Sequence, residues 1–178
     1  MGNYMGAQHR AFRGRRAKTS QGAAAVEFAL VSLVFFLLLF GIIQYGIFFN
    51  DSIQVRQGVR EAARQGVVEN FPTVSPCVAG DSDMKKAACN AKSQVGGVAG
   101  TKYAKAFWPS SPGWKKGQAL TVCVVVKGGS SFGILPMPNG GAISSMTQLS
   151  IEQDATAPSG ANSYADTLPS GLSWPSGC

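Results

Sequence analysis

The sequence predicts a membrane-anchored α+β protein. We expect one long N-terminal transmembrane α-helix that extends outside the membrane, followed by a small disulfide-stabilised domain with a few antiparallel strands. Three observations predict this fold class. Apolar residues concentrate in residues 23–49, the rest of the 178-residue chain is rich in Gly, Ser, Ala and Pro, and all four cysteines follow the apolar segment. Because few large apolar residues remain after residue 70, the core there should be small and helped by cross-links or partners.

The apolar segment is long enough to cross a bilayer. In residues 29–49 the only polar side chains are Ser32 and Gln44. About 20 helical residues, each rising 1.5 Å, cross a hydrocarbon core. A secretory signal has a shorter apolar region of about 7–15 residues and ends in an A-x-A-like site, which is missing here. We therefore expect the segment to stay in the mature protein.

The flanking charges predict the orientation of this span. Of the net charge of +7, the first 22 residues contribute +5, since they hold five basic residues and no acid. Residues 50–69 hold three arginines and three acids, which sum to zero. The positive-inside rule then predicts a single-pass protein of the cell (inner) membrane with a cytoplasmic N-terminus and an extracytoplasmic C-terminal region. Because no aromatic-interleaved basic surface follows the leader, we expect no nucleic-acid partner.

The helix is expected to continue beyond the membrane, over about residues 24–69, because no proline occurs before Pro72. Small residues recur at spacings of three and four and form a narrow stripe: Val55, Val59, Ala62, Ala63 and Gly66. Such a stripe allows close approach of neighbouring helices, as in membrane helix packing. It could equally pack on the C-terminal domain of the same chain, and the sequence leaves both interpretations open.

Glu27 is the one carboxylate at the entrance of the apolar segment. A carboxylate facing lipid costs about 2.5–3.5 kcal/mol at mid-bilayer and less near the edge. Since Glu27 lies near the cytoplasmic end, its side chain could simply reach back to the interface. A processing and assembly role is the second interpretation.

The second interpretation rests on a resemblance. A basic leader, Gly22, four small or apolar residues, Glu27-Phe28 and an unbroken apolar helix resemble the processing site of type IV-like prepilins of the Flp (tight-adherence) subclass. The run "GAAAVEFALV" followed by "LLLFGIIQYGIFF" is similar to the TadE-like minor pseudopilins of that system, over about residues 15–67. Two departures are a phenylalanine where Flp major pilins usually have tyrosine, and the absence of the early proline that is frequent in TadE-like sequences.

The resemblance implies a function. A prepilin peptidase would cut between Gly22 and Ala23, and Glu27, followed by Phe28, would be the fifth residue of the product and could pair with the new α-amine. The protein would be a minor pilin or pseudopilin that takes part in assembly or priming of a Flp-type adhesive pilus. Its partners would be the peptidase, other pilins, pilus assembly platform proteins and the lipid bilayer. The alternative is an uncleaved single-pass anchor that displays a small extracytoplasmic binding domain.

Four segments follow from these assignments: a basic cytoplasmic leader (1–22), the transmembrane and extended helix (23–69), a small extracytoplasmic α+β domain (70–155) and a Ser/Gly/Pro-rich tail (156–178). The β-branched run 119–127 predicts a strand, and residues 144–155 are a second strand candidate. Residues 70–118 look irregular, apart from a candidate helix over 83–103 that the Gly96-Gly97 pair should break. The tail is expected to be loosely ordered.

The cysteine count predicts disulfides in an oxidising compartment. Three pairings of Cys77, Cys89, Cys123 and Cys178 are possible. A Cys77–Cys123 or Cys89–Cys123 bond would tie the irregular region to the strand, leaving Cys178 to pair with the remaining cysteine or to stay free. The spacings match no zinc pattern, and His9 is the only histidine, so we expect no metal site.

Nothing in the sequence supports an enzyme. With the single histidine in the leader, no Ser-His or Cys-His arrangement can form in the C-terminal region. Asp81 and Asp83 flank a serine, a pattern that is most often a solvated turn. No phosphate-binding or dinucleotide-binding loop is present, and no cofactor is expected.

Overall fold

The computed structural model describes residues 20–68, 81–108, 114–128, 135–152 and 160–178, with side chains described from Gly22 onward. The chain forms two compact units, of which one ends at Leu39 and the other runs from Phe40 to Cys178. Helix α1 covers Ser20–Val67 without a break. The predicted long helix is thus confirmed, with both ends shifted by a few residues.

The second unit contains a short helix and a four-stranded antiparallel sheet. The elements are α2 (Asp83–Gln94), β1 (Thr101–Phe107), β2 (Ala119–Lys127), a 3₁₀ turn (Pro138–Gly141), β3 (Ile143–Ser150) and β4 (Ser163–Ala165). The strand order is β3-β2-β1-β4, so β3 and β4 are the edge strands. The predicted α+β class with a few antiparallel strands is confirmed.

The central strand β2 has the bounds that its β-branched run predicts. Its side chains alternate between two buried faces, as expected for a strand covered on both sides. The even-numbered side chains, from Leu120 to Val126, belong to the core that also includes α2 and the second half of α1. Cys123 and Val125 are equally buried on the opposite face.

The first strand corrects our expectation for residues 70–118. We expected irregular chain there, apart from a candidate helix over 83–103 that Gly96-Gly97 should break. Helix α2 does end just before that pair, at Gln94, but the chain then forms the strand β1 from Thr101. Only alanines of β1, Ala104 and Ala106, point into the core, paired with Val124 and Val122 of β2. Alanine has low strand propensity, so pairing with β2 decides the conformation of this segment.

The end of the chain is also more regular than expected. We expected residues 156–178 to be loosely ordered, but within them β4 pairs with β1, aligning Tyr164 with Ala106. Cys178 is bonded to Cys123 in the middle of β2. Because both interactions join residues far apart in sequence, local composition gave no sign of them.

Candidate membrane and assembly surfaces

The segment predicted as the processing site lies at the start of α1. Gly22 is exposed, with no atom within 4 Å of where a Cβ would stand, and Phe28 is 74 % exposed. Since α1 begins at Ser20, the Gly22–Ala23 bond falls in the first helical turn, whose N–H groups lack intrahelical partners and which frays easily. Glu27 is exposed on this helix and has no hydrogen-bond or ion-pair partner among the described residues.

The apolar part of α1 has the exposure expected of a membrane helix. Its most apolar 18-residue window is only 6 % buried, whereas the core helix of a soluble protein of similar composition is mostly buried. One apolar N-terminal helix fits a single-pass membrane anchor. Residues 22–40 are exposed on every side except for the half-buried Ser32.

The two polar side chains of the predicted span are both satisfied by backbone groups. The Ser32 hydroxyl donates to the Ala29 carbonyl one turn earlier, at 3.0 Å. Gln44 is fully buried and pairs reciprocally with Leu135: its Nε2 donates to the Leu135 carbonyl at 2.9 Å, and the Leu135 N–H donates to its Oε1 at 3.2 Å. The cost of a polar group in an apolar segment is therefore offset by hydrogen bonds in each case.

A short apolar loop, residues 135–138, packs beside α1 around Gln44. Besides the Gln44 pair, the Tyr45 hydroxyl donates to the Pro136 carbonyl at 2.9 Å. A Cβ on Gly41 would come within 2.9 Å of the Leu135 Cδ1, so the glycine allows the loop to approach the helix closely. We call residues 135–138 the clip loop.

The small-residue stripe lies in the core of its own domain. Val55, Val59 and Ala63 are fully buried, Ala62 is 1 % exposed and Gly66 is buried. Four of these residues join the cluster that contains α2 and the even-numbered side chains of β2. Of the two interpretations left open, packing on the same chain is therefore the one observed.

Close packing between α1 and α2 explains the small side chains. A Cβ on Gly58 would lie 2.8 Å from the carbonyl oxygen of Gln94 at the end of α2. Polar side chains border the contact. The Asn90 amide donates a hydrogen bond to Gln65 at 2.8 Å, and the Gln65 amide in turn donates to Glu61 at 2.9 Å. The interface is thus specified by both shape and hydrogen bonding.

A basic groove runs between α1 and the edge strand β3. Arg60, Arg64 and Val67 form one wall, and consecutive residues 146–150 of β3 with Glu152 form the other, enclosing about 660 Å³. A smaller depression of about 320 Å³ continues it toward Arg56. Arg64 is paired with Glu61 at 2.8 Å, an exposed ion pair of little energetic weight.

A partly buried carboxylate joins three elements of the second unit. Asp166 accepts hydrogen bonds from Lys92 of α2 and from the Ala104 N–H of β1, both at 2.9 Å, and from the Tyr164 hydroxyl of β4 at 2.8 Å. Burial acts to raise the pKa of Asp166, but these three donors together outweigh it and lower the pKa. The hydrogen bond to Asp166, together with burial, raises the pKa of Tyr164.

The observed disulfide differs from both pairings that we expected for Cys123. Cys123 is bonded to Cys178, with Cα atoms 6.4 Å apart, so the Cys77–Cys123 and Cys89–Cys123 alternatives are wrong. The physical reason is that the side chain of Cys123 lies on the opposite face of the sheet from Cys89. Cys123 points away from the face that carries α2, and Cys89 lies on α2. Cys89 is also disulfide-bonded, and Cys77 lies outside the described residues.

The C-terminal residues cover the face of the sheet opposite the helices. Lys105 of β1 donates from Nζ to the carbonyl oxygen of Cys178, and its ammonium lies 5.1 Å from the Phe107 ring centre. A Cβ on Gly177 would come within 2.9 Å of the Met146 sulfur on β3. The disulfide, the lysine and these contacts together hold the end of the chain on the sheet.

Two features of this unit were missed by sequence reasoning. Little in the local sequence marks Asp166 as a shared acceptor, because two of its three donors come from residues 62 and 74 positions away. Gln44 did carry a signal, since an amide inside an apolar run requires a hydrogen-bonding partner. Among the described residues, no group of three His, Cys, Asp or Glu side chains could hold a metal ion.

Comparison with known proteins supports the resemblance for the helical region. Residues 22–64 match the model of the family described as TadE-like protein. The match begins at Gly22 and covers most of α1, so the predicted resemblance is confirmed over these residues. No curated protein and no solved structure shows significant similarity to the chain.

Proposed function

We propose that this chain is a minor pilin or pseudopilin of a Flp-type pilus system, cut after Gly22 by a prepilin peptidase and used in assembly or priming of the pilus. The observation that carries the proposal is the TadE-like match over residues 22–64, which begins at the glycine of the suggested cleavage site. The exposed apolar surface of residues 22–40 supports it, because an exposed surface of this composition is suited to lipid and to neighbouring helices.

Cleavage would be a hydrolysis of the Gly22–Ala23 peptide bond. Water adds across the bond, leaving a carboxylate on Gly22 and an α-amine on Ala23. Gly22 has no side chain to obstruct a protease that must hold the backbone extended. Its place in the first turn of α1 means that only one turn has to unwind.

Glu27 would then act as the partner of the new amine. The two groups are four residues apart, about 6 Å along a helix axis, so they lie on the same face of one chain. Pairing with the amine of a neighbouring subunit would fix the axial register between packed helices, as a buried polar group does in a coiled coil. The exposure of Glu27 leaves it available for either partner.

The topology proposed with this function follows the flanking charges. Residues 1–22 would be the cytoplasmic leader, residues 23–69 the membrane and assembly helix, residues 70–155 the extracytoplasmic domain and residues 156–178 its tail. The protein would lie in the inner membrane before assembly. Its partners would be the peptidase, other pilins and the assembly platform.

The test is the mass of the protein recovered from membranes of a host with its prepilin peptidase. We expect the wild-type chain to begin at Ala23, and Gly22→Lys to keep its leader. Gly14→Lys is the matched control, since it places the same residue in the leader away from the site. A mature mass that is the same for wild type and Gly22→Lys would contradict cleavage, and a chain that starts near Met1 would favour the uncleaved anchor.

A further inference from the structure

We propose that the clip loop, residues 135–138, is seated in the membrane interface at the C-terminal end of the span, and that it fixes the end of the hydrocarbon-spanning segment near Phe40. The proposed partner of the clip loop is the lipid bilayer. The inference rests on membrane insertion of the apolar helix and does not depend on cleavage or on pilus assembly.

The first argument is where the loop meets the helix. Gln44 and Tyr45 lie inside the apolar run that sequence alone assigns to the bilayer, yet both hydrogen-bond to the clip loop. The backbone of the clip loop therefore lies beside the helix at Gln44 and Tyr45. A hydrocarbon core that reached Phe49 would have to contain the loop as well, so the core ends before Gln44 or the loop enters its edge.

The second argument is the chemistry of the loop, which suits a poorly hydrated place. Its sequence, Leu-Pro-Met-Pro, has no charge and no polar side chain. The prolines lack N–H groups, and the Leu135 N–H donates to Gln44. The carbonyls of Leu135, Pro136 and Met137 all accept hydrogen bonds, the last from the Gly140 N–H at 3.2 Å. A loop with so few free polar groups can approach lipid at low cost.

The third argument is the exposed surface beside the loop. Ile42 is 74 % exposed, Ile43 is 44 % exposed and Phe49 is 61 % exposed, so the helix offers apolar side chains at the same level. Tyr45 adds an amphipathic ring, of the kind enriched at membrane–water interfaces. The helix therefore presents exposed apolar side chains close to the level of the loop as well as within the span.

This boundary gives a span of suitable length. Residues 23–40 would form a helix of about 27 Å, close to the hydrocarbon thickness of about 30 Å. Glu27 would then lie about 6 Å inside the start of this segment, by the same rise per residue. A carboxylate at that depth has a stronger need for a partner than one at the edge.

The test uses the full-length protein in vesicles of phosphatidylethanolamine and phosphatidylglycerol, with one introduced cysteine carrying a spin label. Labels are placed at Met137→Cys, at Leu38→Cys within the span and at Lys115→Cys, an exposed residue before the start of β2. Collision rates with oxygen and with a water-soluble nickel chelate report lipid and water contact. We expect the oxygen-to-nickel ratio at position 137 to approach that at position 38 and to exceed that at position 115 several-fold.

A ratio at position 137 equal to that at position 115, with a lipid-like value at position 38, would overturn the proposal while leaving the anchor intact. A water-like value at position 38 would overturn it together with the anchor. Gln44→Ala in the Met137→Cys background should lower the ratio at position 137, whereas Gln57→Ala, an exposed glutamine on the same helix, should leave it unchanged. An unchanged ratio in both variants would show that the Gln44 pair does not seat the loop.

Discussion

The two parts of helix α1 differ in what surrounds them, although they belong to one continuous element. Residues 22–40 are almost entirely exposed and, apart from Glu27 and Ser32, apolar or small, whereas the later part buries a stripe of small residues in the core of its own domain. The first surface is suited to contact with lipid or with other helices. The second is already covered by α2 and the sheet, so substitutions in the two parts should affect different properties.

The largest effect is expected from a charge in the buried stripe. Val59→Asp should destabilise the second unit by more than about 4 kcal/mol, because it buries an unpaired carboxylate in the core. Unfolding of the detergent-solubilised full chain by denaturant, followed by tryptophan fluorescence, measures the change. Val34→Ala, at an exposed position in the first part, should alter the unfolding midpoint little. Similar losses in both variants would remove the distinction between the two parts.

Loss of the Cys123–Cys178 bond should have the next largest effect. The double variant Cys123→Ala with Cys178→Ala should lower the free energy of unfolding by about 2–5 kcal/mol, since the bond closes a long loop across the sheet. Hydrogen exchange should also increase in the C-terminal residues and in β4. Exchange that increased instead in α2, with β4 unchanged, would argue against the assigned position of the chain end.

Two glycines of α1 offer a matched comparison. Gly58→Ala should destabilise the domain by about 1–3 kcal/mol, because the new methyl group would meet the backbone of Gln94. Gly46→Ala meets no atom within 4 Å and should be neutral or stabilising by up to about 1 kcal/mol through helix propensity. Thermal unfolding of the two variants gives the sign of each change, and equal signs would contradict the close approach of α1 and α2.

Among the destabilising substitutions, the smallest effect is expected at Asp166, together with a pH dependence. Asp166→Asn should cost about 1–2 kcal/mol near neutral pH, because Asn accepts from the same donors less well. Since the pKa of Asp166 is lowered in the folded state, its contribution is present above the unfolded-state pKa of about 3.9 and is lost as the pH falls through the folded-state value. Denaturation at neutral and acidic pH should show the gap between wild type and variant closing. A gap that widened on acidification would contradict the assigned role.

The sequence predicts the local features well and the long-range ones poorly. The helix and β2 follow from runs of residues whose own preferences agree with their burial. Strand β1 presents only alanines to the core, so its conformation depends on pairing with β2. The partner of Cys123 depends on which face of the sheet it points to, and the register that decides this comes from contacts distant in sequence.

For the candidate site, too, the sequence predicts the local features better than the long-range ones. The resemblance at residues 22–28 can be seen in the order of residue types, and the family match begins at the same glycine. The clip loop could not be assigned to Gln44 from sequence, because 91 residues separate Gln44 from Leu135. An amide in an apolar run indicates that a partner exists but does not identify it.

Glu27 provides the most direct test of the central claim, that the first part of α1 serves assembly while the second part serves the fold. In a host strain that lacks its own copy of this protein, surface pili are counted after complementation with wild type, Glu27→Ala or the control Glu152→Ala, an exposed acid of the second unit. We predict that Glu27→Ala is cleaved and folds with an unchanged unfolding midpoint, yet lowers the pilus count to that of the deletion strain. A wild-type pilus count with Glu27→Ala would contradict the account.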